Sequence, residues 1–140
     1  MKVNIGKYPN FGEGERKSKV VIESDDLYSL DCTLNLVIAP ALHAFISANR
    51  SGPKVELKDV PDELWPNNDP EWLAMSEYDR SWKIDNFYFD RWNYILKEMY
   101  FAFARAEYPN TVVDNDIDKY DDRVVNGLRL FAKYYQHLWI

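Results

Sequence analysis

Residues 85–107 read DNFYFDRWNYILKEMYFAFARAE and carry the clearest helical pattern in the chain. Asp85 or Asn86 can cap the N-terminus of a helix here, and Pro109 follows its end. Because apolar residues that recur every three to four positions share one face of a helix, the stretch predicts an amphipathic helix over residues 85–108. Its apolar stripe comprises Tyr88, Trp92, Ile95, Leu96, Met99, Ala102, Phe103 and Ala106.

A second long helix is predicted over residues 119–139. Its residues from 123 onward read RVVNGLRLFAKYYQHLWI, with basic and aromatic side chains but no side-chain carboxylate, in a chain of net charge -6. Gly127 lowers helix stability, so it predicts a close helix crossing, with the approach of a ligand to the backbone as the alternative. The acidic run 114–118 starts like a calcium loop, but Lys119 stands where that loop needs Gly, and a solvated lead-in to the helix is favoured. The apolar stripe of this helix is Val124, Leu128, Phe131, Tyr135 and Leu138.

The N-terminal third predicts two different elements. Residues 1–23 alternate in two short runs and predict a β-hairpin, with Val3 and Ile5 on one face. Because a lone hairpin is marginal in water, it is expected to pack on helices or on strands of another subunit. Residues 24–50 predict a helix that is apolar on most sides, and therefore the central, most buried element. Pro40 is expected to kink it.

Residues 51–84 form a long acidic connection between these helices. Pro61 starts a predicted helical turn. Trp65, Trp72 and Trp82 are expected to anchor the connection on the body, which makes it an ordered lid. The predicted fold is therefore α+β, a single domain over residues 1–140 in which an N-terminal hairpin packs on a three-helix core.

Composition and charge narrow the classes of partner. A net charge of -6 argues against binding to duplex nucleic acid. The apolar run 34–46 is too short to span a bilayer, and residues 1–14 lack the apolar run of a signal peptide, so a soluble protein is predicted. Cys32 is the single cysteine, which rules out an internal disulfide and favours the cytoplasm. Aromatic residues reach 16%. Most rings are expected to build the core, with Tyr and Trp at its edge, and the alternative is that some of them line a groove or a subunit interface.

Few residues suggest chemistry. Cys32, His43 and His137 lack the spacing of a zinc site, so no metal and no cofactor are predicted. No phosphate-binding glycine loop or nucleophile motif is present. The remaining catalytic option is a pair of helix carboxylates, Asp90 and Glu98, and it ranks below a noncatalytic role.

The strongest candidate site is a set of basic and aromatic residues on the two long helices. Arginine, lysine and aromatic rings on one helix face can hold a phosphate and stack on a planar ligand. The alternative is that Arg129 bridges to carboxylates of residues 53–90. The wider set is Arg91, Trp92, Tyr100, Arg123, Asn126, Arg129, Lys133, Tyr134 and Gln136, and the predicted ligand-binding residues are Arg91, Trp92, Asn126, Arg129, Lys133 and Tyr134.

Three blocks of the sequence resemble an uncharacterised family of small tailed-phage proteins. They read TLxLxIxPxL over residues 33–42, RWxxILxEMxxAF over 91–103 and NGLRLFxKYYxxLW over 126–139, and the segments KVxIG and RKxKV near the N-terminus fit as well. No activity is established for that family, so the resemblance implies a setting, the cytoplasm of the infected host cell. In that setting we expect a noncatalytic, homo-oligomeric counter-defence protein that sequesters an anionic, nucleotide-like ligand. The alternatives are a protein-binding inhibitor of host machinery or a virion-assembly factor, and after them a small hydrolase.

Overall fold

A computed structural model describes residues 1–11, 14–48, 51–104 and 114–139, with side chains from 117 onward in the last range. The fold is α+β, as predicted, with an N-terminal hairpin followed by helices. The chain divides into two compact units, Met1–Val37 and Ile38–Ile140.

The first unit holds the hairpin, a short 3-10 helix and the start of a long helix. Strand β1 (Lys2–Ile5) pairs antiparallel with β2 (Ser18–Val21), and Val3 lies opposite Val20. Side chains alternate across a strand, so this register places the apolar residues Val3, Ile5 and Val20 on one face, as predicted. A 3-10 helix, Ser24–Leu27, follows the hairpin.

Helix α1 spans Leu30–Ser47 and crosses from the first unit into the second. The prediction that it is the most buried element is wrong: only Ala39 and Leu42 are buried, while Leu34 is 41% exposed and Leu36 77% exposed. An all-round apolar composition shows that a helix can be buried, but it does not supply the elements that cover it. The helix also starts later than predicted, because the residues before Leu30 form the 3-10 helix and a turn.

The length of helix α1 also concerns the prediction that no segment of the chain spans a bilayer. With 18 residues, it is long and apolar enough to cross a bilayer by length and composition alone. The helix begins four residues before Leu34, so it is longer than the apolar run on which the prediction was based. Core helices of soluble proteins and signal sequences meet the same criterion.

The connection is ordered and built of single turns. It contains 3-10 helices at Leu57–Asp59, Asp62–Leu64 and Pro66–Asn68 and the short helices α2 (Pro70–Ala74) and α3 (Glu77–Arg80). The predicted turn at Pro61 is the second of these 3-10 helices.

The three tryptophans of the connection differ in their packing. Trp65 packs against the core and donates from its ring nitrogen to the carbonyl of Leu57 at 3.0 Å. Trp72 is half-buried. Trp82 is 63% exposed, so the expectation that it anchors the connection is wrong.

The core of the second unit lies where α4 (Tyr88–Phe103) crosses α5 (Asp114–Tyr134). Gly127 permits this crossing, because a Cβ there would overlap the carbonyl oxygen of Glu98 and approach the Cβ of Ala102 to 2.7 Å. The predicted close crossing is thus confirmed. The buried residues of α4 in this core are Trp92, Ile95, Leu96, Met99, Ala102 and Phe103.

The ends of both helices differ from the predicted bounds. Helix α4 begins at Tyr88 because the carboxylate of Asp85 already accepts from the backbone N–H of Phe87 at 3.0 Å. Its predicted end at residues 105–108 lies outside the described residues. Helix α5 begins five residues earlier than predicted, so the acidic run 114–118 is helical and has no calcium-loop backbone. After Tyr134 the chain continues as a short 3-10 helix.

Candidate functional site

Asp59 organises the basic face of α5. Its side chain is 1% exposed and meets the guanidinium of Arg129 at 2.9 Å. The Tyr134 hydroxyl donates to its Oδ2 at 2.8 Å, and the Lys133 ammonium donates to the same oxygen. Lys133 also meets Glu56 at 2.9 Å. We call these five residues the Asp59 cluster.

The electrostatics of this cluster favour its charged form. Burial alone raises the pKa of Asp59, but the hydrogen bonds from Lys133, Tyr134 and Arg129 outweigh it and hold the pKa below its ordinary value. Burial likewise lowers the pKa of Lys133, and its bonds to Asp59 and Glu56 reverse this and raise the pKa above its ordinary value. The cations of this face are therefore neutralised within the chain at any physiological pH.

Asn126 completes this arrangement. Its Oδ1 accepts from Nε and Nη2 of Arg129 at 3.2 and 2.9 Å, so the amide orients the guanidinium toward Asp59. These contacts match the alternative interpretation, in which Arg129 bridges to a carboxylate of residues 53–90. Of the six predicted ligand-binding residues, the structure thus brings Asn126, Arg129, Lys133 and Tyr134 together around an internal acid.

The other two predicted residues, Arg91 and Trp92, belong to the core. Arg91 is 4% exposed and donates two bonds to the carboxylate of Asp85, at 2.8 and 2.7 Å, and a third to the carbonyl of Leu64. Trp92 is 1% exposed, and its ring lies edge-on to Tyr134 at 5.9 Å. Neither side chain reaches the surface, so neither can contact a ligand there. Their positions in the buried stripe of α4 explain this outcome.

A recess of about 220 Å3 opens between α4 and α5 on another side of the crossing. Lys97 and Arg123 supply two cations, and three aromatic rings supply flat apolar walls. We call it the α4–α5 recess; its lining residues are Lys97, Tyr100, Phe101, Ala104, Tyr120 and Arg123.

Arg123 is held in place in this recess. Its guanidinium lies over the ring of Phe101 at 3.6 Å and donates to both carboxylate oxygens of Glu98, at 2.8 and 3.0 Å. The bonds to Glu98 raise the pKa of Arg123 and outweigh the effect of burial. The ring of Tyr120 meets Phe101 edge-on at 5.3 Å. Because the side chain of Arg123 remains 48% exposed, a guanidinium of fixed orientation is available to a planar or anionic group.

Sequence reasoning found this recess only in part. Tyr100 and Arg123 stood in the wider candidate set, whereas Lys97, Phe101 and Tyr120 were missed. The signal on α4 was readable, since positions 97, 100, 101 and 104 follow helical spacing and share one face. The sequence did not show which residues of α5 lie opposite this face of α4.

The other candidate chemistry lacks a suitable geometry. Glu98 is buried and bound by Arg123, while Asp90 is exposed two helical turns away, about 12 Å along the axis. These carboxylates do not face a common reaction centre. Among the residues that the structure describes, no group of three or more His, Cys, Asp or Glu side chains could hold a metal ion. A smaller pocket of about 40 Å3 lies between Gly52 and Trp139.

Comparison of the chain with protein-family models, with curated proteins and with solved structures found no match. The interpretation of the recess therefore depends on its own residues and distances.

Proposed function

We propose that the protein is a noncatalytic, phage-encoded binding protein of the infected host cytoplasm, and that it sequesters a nucleotide-like ligand in the α4–α5 recess. The observation that carries this proposal is the pairing of a fixed, half-exposed guanidinium with aromatic walls in one cavity. The phage setting is supported by the sequence blocks that resemble tailed-phage proteins.

The size of the recess fits one ring. A cavity on the order of 150 Å3 takes up benzene, so about 220 Å3 has room for a single heterocycle. The free face of the Arg123 guanidinium can stack on that ring, because its other face already covers Phe101. The exposed ammonium of Lys97 at the same recess then suits a phosphate attached to the ring.

The charge balance favours Lys97 as the residue that selects an anion. The charge of Arg123 is largely offset by Glu98, whereas no ion pair of Lys97 is seen with any described residue. A single unpaired ammonium beside aromatic walls selects for a compact anion with a flat group, and it does not provide the broad positive field that duplex nucleic acid needs.

Binding is tested by calorimetric titration of the full chain with a panel of nucleoside monophosphates, cyclic nucleotides and inorganic phosphate. We expect at least one nucleotide to bind and phosphate alone to bind far more weakly. Lys97→Ala is expected to weaken that binding at least tenfold, because the loss of one charge-assisted hydrogen bond usually lowers affinity by about that factor. Lys54→Ala removes another exposed lysine, outside the recess, and should leave the binding unchanged.

Arg129→Gln separates this site from the Asp59 cluster. We expect the variant to bind the ligand as the wild type does, although it is less stable. Loss of binding in Arg129→Gln with retention in Lys97→Ala would overturn the assignment to the recess, and no binding of any nucleotide would overturn the proposed ligand class.

A second candidate, a protein-binding role, is favoured by a different observation. Large aromatic side chains before and at the start of α4 are left in solvent: Tyr78 is 78%, Trp82 63% and Phe89 50% exposed. Exposed aromatic residues of this kind are enriched at protein interfaces. Crosslinking in infected cells with a photoreactive residue in place of Trp82 tests this role, and a single crosslinked host or phage protein would support it.

A further inference from the structure

Residues 69–86, which precede α4, form a loop whose two ends meet at Asp69. The side chain of Asp69 is buried. Its Oδ1 accepts from the backbone N–H of Glu71 at 3.1 Å at the start of the loop, and its Oδ2 accepts from the backbone N–H of Asn86 at 2.8 Å at the end. Surface loops closed in this way are compact and frequently functional. We call residues 69–86 the Asp69 loop.

Arg80 braces the Asp69 loop from inside. Its guanidinium donates to the carbonyl of Leu73 at 2.7 Å and to that of Met75 at 3.1 Å. The same group lies 6.0 Å from the centre of the half-buried Trp72 ring. A loop that is held at its ends and in its middle loses little conformational freedom when a partner binds.

Large apolar side chains of the Asp69 loop remain in solvent. Leu73, Tyr78, Trp82 and Ile84 are 52%, 78%, 63% and 50% exposed. Exposed apolar side chains concentrated in one segment of a soluble protein mark an interaction surface. Their exposure favours a binding surface, and the charge around them selects the occupant.

The negative charge of the chain is concentrated in and around this loop. Residues 61–90 contain eight acidic and two basic residues, so this stretch carries a net charge of -6, equal to that of the whole chain. Asp69 and Asp85 are buried and bonded within the chain. Four of the other acids are exposed and form no ion pair with any described residue: Asp62, Glu63, Glu77 and Asp90.

Trp82 already holds a cation of the chain itself. The Lys83 ammonium lies 4.7 Å from the centre of the Trp82 ring and 3.6 Å from the carboxylate of Asp79. A ring beside a carboxylate attracts cations through the negative face of the ring and through the charge of the acid. Because the side chains of Lys83 and Asp79 are 40% and 38% exposed, their pairing is weak, and a cation of a partner can replace Lys83.

We propose that the Asp69 loop docks a cationic segment of a partner protein, with an arginine or lysine of that segment on the ring of Trp82 and others on the exposed carboxylates. This inference rests on the protein-binding role, the second candidate above, and names the chemistry of its partner. Like-charge repulsion disfavours nucleic acid, an anionic lipid surface and the same acidic loop of a second copy. The α4–α5 recess takes no part, so the nucleotide site and this surface can fail independently.

Fluorescence anisotropy of a labelled peptide with the full chain tests the proposal. The probe alternates arginine and leucine, and its control carries citrulline, a neutral isostere, in place of arginine. We expect the arginine peptide to bind at least about tenfold more tightly than the control, and its affinity to fall as the salt concentration rises. Equal binding of the two peptides, or binding of neither, would overturn the proposal.

Matched variants locate the binding on the chain. Trp82→Ala and Glu77→Lys should each weaken binding of the arginine peptide at least about tenfold. Trp139→Ala removes a tryptophan that is 60% exposed outside the loop, and Asp122→Lys makes the same charge reversal on α5; each should change the affinity by less than about twofold. All four side chains are exposed, so each variant should keep the melting temperature within about 2 °C of the wild type. Equal weakening by all four variants would overturn the assignment to the loop.

Crosslinking through position 82 in infected cells separates this inference from the protein-binding role on which it rests. A protein that crosslinks through an arginine- or lysine-rich segment supports both. A crosslink to an acidic segment, or to a second copy of this chain, would overturn the cationic partner and leave a protein-binding role in place. No crosslink at all would overturn both.

Discussion

Replacing Asp59 with Asn removes the charge on which Arg129 and Lys133 converge, and it tests whether this cluster joins the connection to α5. Breaking one side of a buried ion pair costs about 3–5 kcal/mol. The side chains of Arg129 and Lys133 are 48% and 27% exposed, so both cations can regain part of their hydration. We therefore expect a loss of about 2–3 kcal/mol in the free energy of unfolding.

For a chain of 140 residues, such a loss lowers the melting temperature by about 8 °C. Urea unfolding followed by tryptophan fluorescence measures it, since Trp92 packs on Tyr134 beside the cluster. Asp62→Asn, an exposed aspartate three residues along the same connection, is the matched control and should change stability by less than about 0.5 kcal/mol. A loss under about 1 kcal/mol in Asp59→Asn, or an equal loss in the control, would refute the reasoning.

The same substitution has a pH signature. Because the pKa of Asp59 is lower in the folded than in the unfolded chain, its stabilisation is fully present above the unfolded value of about 3.9 and is lost as the pH falls through the folded value. The stability difference between wild type and Asp59→Asn should therefore be constant from pH 5 to 8 and shrink below pH 4. A difference that stays constant down to pH 2 would show that Asp59 acts through its shape and not through its charge.

Three further predictions concern the second unit. Gly127→Ala should destabilise the protein by at least about 2 kcal/mol in urea unfolding, although Ala favours helix, because its Cβ meets the backbone of α4 at Glu98. Asp85→Asn should cost about 3 kcal/mol by leaving the Arg91 guanidinium buried without its carboxylate, whereas Asp90→Asn on the exposed face should be neutral. Asp69→Ala should raise the hydrogen-exchange rates of the Glu71, Trp72 and Asn86 amides, which now donate to its carboxylate, and leave the core of α4 protected.

The parts of the fold that the sequence predicted correctly are those encoded by a periodic pattern. The stripe of α4 predicted the burial of Trp92, Ile95, Leu96 and Met99, all at most 1% exposed. Gly127 predicted a crossing because a glycine inside a helix lowers helix stability and most often marks a close approach of a second helix. The hairpin faces followed from alternation. In each case the local spacing of residues is sufficient to fix which side of the element faces inward.

The candidate site was predicted less well because it depends on pairs of residues that are distant in sequence. Arg129 and Lys133 form a basic face in any helix, but their partner Asp59 lies in the connection, where no periodicity indicates which carboxylate turns inward. Arg123 lies next to Phe101 only because α4 and α5 cross at Gly127, and that crossing point sets the register of the recess.

Helices α1 and α4 show the physical limit of such reasoning. Both are rich in apolar residues, yet α4 is polar on one side and α1 is not. The polar side of a helix faces solvent, so the opposite side faces the core. The orientation of α4 could therefore be deduced from its sequence. Helix α1 has no polar side of this kind, and its apolar surface is equally compatible with a core, a second copy or a bilayer. The burial of such a helix is set by the elements that pack on it, which is why only Ala39 and Leu42 of α1 are buried although most of its residues are apolar.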